Sequence, residues 1–254
     1  MVTLPARHAK TLPNAAKASR RMSSGKEQHH NGVRLDLTPK NAIQRGKFHV
    51  NARGVRSNLS PKRVGVFAGS FDPVHAGHIT FTLQAIEVSQ LDRVYFMPER
   101  EPRGKKTEYY GHRVAMLSRA LRPYGRMFVL ETVEKQFVVR RTLAHLRQQF
   151  PNARFVFLLG SDTAKGLTAW PHVKRLLGEG ELCIALRKKD TKQEMHQALD
   201  LLPIPPAGLV LLEGVEKHVS SSSIRMALAS GTGAIGLLKS VYYYARREWL
   251  YLHN

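Results

Sequence analysis

The stretch Gly69-Ser-Phe-Asp-Pro-Val-His-Ala-Gly-His78 sets two imidazoles three residues apart behind a glycine-bearing turn. The apolar run Val64–Ala68 precedes it and reads as a buried strand. Ile79 to Val88 follows with apolar residues at helical spacing. A strand, a tight turn and a helix start present backbone N–H groups and a positive helix end to an anion. Gly69, Ser70 and Phe71 supply that turn, and Gly77 removes a side chain where a ligand must approach the backbone. His75 and His78 share one face of the helix start and can point at the same phosphate. A lone histidine there is ordinarily a cap or a solvated residue. A histidine pair could also hold a metal, but no nearby third ligand completes a zinc set. Taken whole, the string reads as a phosphate site with no protein metal cage.

A second constellation, Val219-Ser-Ser-Ser-Ser-Ile-Arg225, lies about 140 residues downstream and also opens a helix after a strand. Serines such as Ser220, Ser221 and Ser222 cap free N–H groups, and their hydroxyls can donate to phosphate oxygens. Arg225, about one turn into the helix, can reach the same anion with a planar donor fork. A serine run alone is usually a linker or an ordinary cap. Two such junctions together read as a bipartite clamp for a triphosphate.

Positioning both requires strands and helices in alternation, and from Lys62 onward the pattern supplies them. Strands are expected at 63–68, 92–97, 127–130, 154–159, 181–186 and 209–212. Helical patterns fall near 80–89, 112–121, 139–149, 171–177, 192–201, 221–229 and 236–248. Repeated β-α units predict an α/β, Rossmann-like doubly wound, mostly parallel sheet with helices on both faces. Ligands of such sheets bind beyond the carboxyl ends of the strands, where both motifs fall.

The 254 residues carry a net charge of +21, unevenly spread. Residues 1–61 hold twelve Lys/Arg, two acids and one aromatic, Phe48. That composition cannot offset its ordering entropy, so a basic disordered extension (1–61) before one catalytic-sized domain (62–254) is expected. The charge alone would permit weak polyanion binding by this tail. The absence of acids before Glu27 would also suit an organelle transit peptide. The lone cysteine, Cys183, sits in an apolar run and fits a buried thiol in a reducing, cytoplasmic setting. No apolar run approaches the roughly 18 residues a membrane span needs. Oligomeric state is left open by the sequence.

The histidine string and the late Ser-Ser-Ser-Ile-Arg together resemble the HxGH nucleotidyltransferase superfamily. More narrowly, the chain resembles bacterial-type nicotinate-nucleotide adenylyltransferases over residues 64–252. Gly160-Ser-Asp162 followed by Trp170, the strand ending in Arg187, and the closing Val241–Tyr251 segment carry the narrower likeness. The resemblance implies adenylyl transfer from ATP to nicotinate mononucleotide, giving deamido-NAD and pyrophosphate. Mg²⁺ would accompany the triphosphate, held largely by phosphate and water. His75, His78 and Arg225 would stabilise developing charge, and Gly69, Ser70, Phe71, Gly77, Ser220, Ser221 and Ser222 would hold ATP. Asp162, Trp170, Lys106, Arg113 and Arg187 would hold the acceptor. The family's Pro-Pro-His-Lys-like loop is replaced here by Pro98-Glu-Arg-Glu-Pro-Arg-Gly-Lys-Lys106. Val219 and Ser70 are milder departures. Nicotinamide mononucleotide or phosphopantetheine are the alternative acceptors, and a basic nucleic-acid-binding module is the alternative class. An aminoacyl-tRNA synthetase is disfavoured, since no Lys-Met-Ser-Lys-Ser segment is present.

Overall fold

The computed structural model describes residues 60–187, 189–214 and 219–252. The tail expected at 1–61 therefore lies outside the described residues, apart from its last two. Six strands form one sheet: β1 Arg63–Gly69, β2 Arg93–Pro98, β3 Met127–Val129, β4 Arg154–Gly160, β5 Gly180–Ala185 and β6 Leu209–Leu212. Their order is β3-β2-β1-β4-β5-β6, and every pairing is parallel. Among the described residues eight α-helices accompany them, six between strands and two after β6: α1 Ala76–Val88, α2 Tyr110–Leu121, α3 Val139–Gln149, α4 Ser161–Lys165, α5 Val173–Glu179, α6 Lys192–Asp200, α7 Ser221–Ala229 and α8 Lys239–Arg247.

Both faces of the sheet are buried, which is why its strands are runs of apolar residues with no polar alternation. Phe67, Val94, Phe96, Val156 and Leu158 point into one core, with residues of α1, α2, α7 and α8. Val64, Val66, Tyr95, Phe155 and Phe157 point into the other, with residues of α3, α5 and α6. The period-2 geometry of a strand assigns its neighbours to opposite sides. The doubly wound expectation is met, and the sheet is parallel throughout.

The order reverses direction between β1 and β4, so a crevice opens where their carboxyl ends diverge. Gly69 ends β1 and Gly160 ends β4 at this crevice. Two features differ from the sequence expectation. Helix α1 starts at Ala76, which makes His75 its N-cap and His78 its third residue. The five-residue α4 and a 3₁₀ turn at Leu167–Ala169 had no expected counterpart. Neither is long enough to show a helical period.

Gly180 begins β5 against the ring of Phe157, and a Cβ there would sit 2.4 Å from Phe157 Cε2. Gly180→Val should lower stability by about 1–3 kcal/mol through overpacking. Urea unfolding followed by circular dichroism measures this, and unchanged stability would contradict the packing described.

Candidate active site at the β1–β4 crevice

A cavity of about 1050 Å³ occupies the crevice, large enough for more than one nucleotide-sized group. It is lined by Gly69, Ser70, Phe71, His75, Gly77 and His78 from the first motif. Ser220, Ser221, Ser222 and Arg225 of the second motif line the same cavity, with Lys106, Asp162 and Arg187. The two distant motifs therefore meet.

Their contact is direct. The Arg225 Nη1 donates to the Asp72 carbonyl oxygen at 2.7 Å, and the Ser221 hydroxyl donates to the Pro73 carbonyl oxygen at 3.0 Å. Ser220 caps α7, its Oγ accepting the Ser223 N–H at 3.1 Å, while Ser223 Oγ accepts the Ser220 N–H at 3.2 Å. Ser222 Oγ accepts from Arg225 Nη2 at 3.3 Å. The serine hydroxyls thus shape the helix end and the loop contact. Donors for an anion come mainly from the first backbone N–H groups of α7, which have no partner within the helix.

The imidazoles of His75 and His78 stack, with ring centroids 3.8 Å apart. His78 also packs edge-on against Phe71. Phe71 has a positive φ of 47°, and its ring lies over Gly69, where a Cβ would approach it to 3.3 Å. A non-glycine residue in this region costs roughly 1–2 kcal/mol. The surrounding aromatic packing holds it there. His75 is 7 % exposed, and its Nδ1 has no hydrogen-bond partner among the described residues. His78 Nδ1 accepts the His75 N–H at 3.2 Å. A backbone N–H can only donate, so the neutral His78 carries its proton on Nε2.

Burial, then the charge of Arg187, lowers the His75 pKa from 6.5 to about 4. Burial, then His75, holds His78 well below the usual imidazole range. Both rings are therefore neutral hydrogen-bonding groups in the free protein near pH 7. Positive charge comes instead from Lys105, Lys106, Arg187, Lys189 and Arg225 around the cavity, against Asp72, Asp162 and Asp190. Each of these carboxylates already has a partner. Asp72 Oδ1 accepts from Tyr251, Asp162 pairs with Arg187 at 2.6 Å, and Asp190 takes Lys165 and the Ser161 hydroxyl. Lys165 first, then Ser161, holds the Asp190 carboxyl below its ordinary value. No group of three or more His, Cys, Asp or Glu among the described residues could hold a metal.

Two of the residues expected at the acceptor do not line this cavity. Arg113 is fully buried, and its donors reach four backbone carbonyl oxygens: Glu108 at 3.0 Å, Ser70 at 2.6 Å, Glu99 at 2.7 Å and Arg100 at 3.0 Å. With its donors committed to backbone, it ties the β1 turn to the loop after β2 and does not line the cavity. Trp170 is half-buried with its ring 5.7 Å from that of Phe137, outside the cavity lining. Lys105, the neighbour of Lys106 in the basic loop, also lines the site, and Lys189 and Asp190 line it without having been singled out. Charged loop residues look alike in sequence until the fold says which way they face.

A parallel-sheet crevice closed by a histidine-bearing turn and a capped, arginine-bearing helix is the site of a nucleotidyltransferase. The cytidylyltransferase-like family model matches residues 66–227, more than half of the chain. A Halalkalibacterium halodurans protein named "Probable nicotinate-nucleotide adenylyltransferase" is 32% identical over 202 residues, covering 76% of this chain and 93% of that protein. The nicotinate-nucleotide adenylyltransferase of Bacillus subtilis is 34% identical over 123 residues, covering 46% and 65%. Among solved structures, Plasmodium falciparum nicotinic acid mononucleotide adenylyltransferase complexed with NaAD matches with a TM-score of 0.64 at 18% identity, covering 76% and 98%. The chain belongs to the nicotinate-nucleotide adenylyltransferase family, within the cytidylyltransferase-like nucleotidyltransferases.

The depressed His75 pKa links stability to pH. Between pH 6.5 and about 4 the unfolded chain binds a proton at this site that the folded chain does not. Stability must therefore fall as pH drops through that window, by roughly 3 kcal/mol in full. His75→Gln should reduce the slope in this window in urea unfolding series, leaving the part that His78 contributes. An undiminished slope would show that His75 is not its source.

Proposed function

We propose that this chain transfers the adenylyl group of ATP to nicotinate mononucleotide, forming deamido-NAD and releasing pyrophosphate. The observation that carries this reading is the junction of Arg225 and Ser221 with the Asp72 and Pro73 carbonyl oxygens in the wall of one large cavity. Family membership supplies the substrates, since the relatives are nicotinate-nucleotide adenylyltransferases.

The acceptor's phosphate oxygen attacks the α-phosphorus of ATP. The new O–P bond forms as the bond to the bridging oxygen of pyrophosphate breaks, and that oxygen leaves with the electron pair. A phosphate monoester is already mostly ionised at pH 7, so the nucleophile needs no general base. The protein's task is to align two anions and stabilise charge as it moves. The His78 Nε2–H and Arg225 would donate to the phosphates, with His75 stacked on His78 in the same cavity wall. The start of α7 cradles the triphosphate with N–H groups of Ser221 and Ser222. Mg²⁺, entering with ATP, neutralises part of its charge. Lys106, Asp162 and Arg187 receive the acceptor, the Asp162–Arg187 pair opening to do so. Arg113 supports the turn from beneath. Trp170, half-buried beside Phe137, would stack on the pyridine ring of the acceptor. No described helix is long and apolar enough to cross a membrane, and we place the reaction in the cytoplasm.

His78→Ala should lower kcat about a hundredfold or more while the fold is retained, because a preorganised donor to developing charge is lost. Near wild-type turnover in a folded variant would remove His78 from the mechanism. Pyrophosphate release from MgATP should be fastest with nicotinate mononucleotide when the acceptors are compared side by side. A faster rate with nicotinamide mononucleotide or phosphopantetheine would reassign the acceptor and leave the adenylyl chemistry standing.

A further inference from the structure

The closing segment of the chain folds back onto the first motif. After α8, Trp249 and Tyr251 both take positive φ values, 55° and 62°. Each such non-glycine residue costs roughly 1–2 kcal/mol unless its surroundings hold it there. Trp249 remains 75 % exposed, whereas Tyr251 is 5 % exposed and joins the core that includes Phe67 and Phe71. Its hydroxyl donates to Asp72 Oδ1 at 2.7 Å, across 179 residues of sequence. Burial, then the Asp72 charge, pushes this phenol far above its usual pKa, so it remains a donor at any working pH.

Asp72 is itself 1 % exposed. Its Oδ1 also accepts the Glu108 N–H at 3.3 Å. Its Oδ2 has no hydrogen-bond partner among the described residues and lies 3.8 Å from Arg225 Nη1. The same Nη1 donates to the Asp72 carbonyl oxygen. Asp72 thus meets Arg225 through both its backbone and its carboxylate, and Tyr251 fixes which way that carboxylate faces.

We propose that Tyr251 is a positioning residue, acting through Asp72 to hold the Arg225 guanidinium at the cavity wall. The inference deepens the adenylyl-transfer reading and rests on it for the role of Arg225. Without the phenol, the buried carboxylate must rotate or draw Arg225 inward to satisfy its charge. Either response takes the guanidinium away from the triphosphate. A core tyrosine with no such role would affect stability alone.

A double-mutant cycle separates these cases. Tyr251→Phe keeps the ring, Arg225→Ala removes the group it serves, and the pair is combined. Each variant is read in two ways, as kcat for pyrophosphate release and as the Kd for ATP. Tyr251→Phe should lower kcat about tenfold or weaken ATP binding by a similar factor. In the Arg225→Ala background the same change should cost less than about twofold. Equal fold-losses in both backgrounds, or no loss in either readout, overturn the proposal. Asp72→Asn, which retains an acceptor for Tyr251 but removes the charge facing Arg225, replaces Tyr251→Phe in the cycle if the latter does not fold. Absent turnover in the wild type would sink the adenylyl-transfer reading, and the ATP affinities would still decide the role of Tyr251.

Discussion

Arg225 reaches 153 positions back along the chain to donate to the Asp72 carbonyl oxygen, and that contact decides where the site can exist. The turn after β1 and the start of α7 issue from strands three places apart in the sheet, about 14 Å at normal strand spacing. Helix α7 closes this gap by crossing the sheet face that carries α1. Ile224 and Leu228 are buried in the same core as Phe67 and Phe71. Apolar burial brings the helix near. The polar pair Arg225–Asp72 and Ser221–Pro73 then sets its height and rotation, since hydrogen bonds are directional and burial is not.

The charges around the cavity divide into two kinds. Buried groups are neutral or internally paired: the two imidazoles are uncharged near pH 7, and Asp72 is held by Tyr251. The lysines and arginines that could neutralise a polyphosphate sit at the rim, where water solvates them in the free state. The site therefore avoids the large cost of isolated buried cations, while its rim field favours an incoming anion. Arg187 shows the coupling, since its positive charge helps keep His75 unprotonated. A bound triphosphate reverses the sign of that local field.

The sheet was legible in the sequence because two-sided burial forces continuous apolar strands, and all six appeared within a residue or so of their observed ends. The motifs were legible because glycine, histidine and serine at helix starts have few other reasons to cluster. Arg113 was not. A charged residue on a helix is read as a ligand contact or as solvated, and its four carbonyl partners come from two loops that only the fold assembles. Trp170 packs beside Phe137, a contact the sequence did not indicate, as a flat apolar ring serves a ligand and a neighbouring ring equally well. Asp190 left no trace, since its partners Ser161 and Lys165 belong to a helix too short to show a period. Tyr251 stood out only as part of a family resemblance, with nothing in its neighbours to reveal Asp72.

The spacing of the two histidines has its own structural origin. In a capping box the residue three places into a helix reaches back to the N-cap N–H, a role usually filled by Glu or Gln. His78 does this with Nδ1, accepting the N–H of His75. The bond caps the helix and in the same act assigns the ring's proton to Nε2. A glutamate would cap as well, but would bring a negative charge to a phosphate site. A glutamine would be neutral, but without the planar ring that stacks on His75 and packs against Phe71. Histidine alone satisfies the helix end while leaving a neutral, oriented donor for the cavity. The interval of three is thus set by helix geometry, and it also suits the phosphate that the proposed reaction would bring to this helix end.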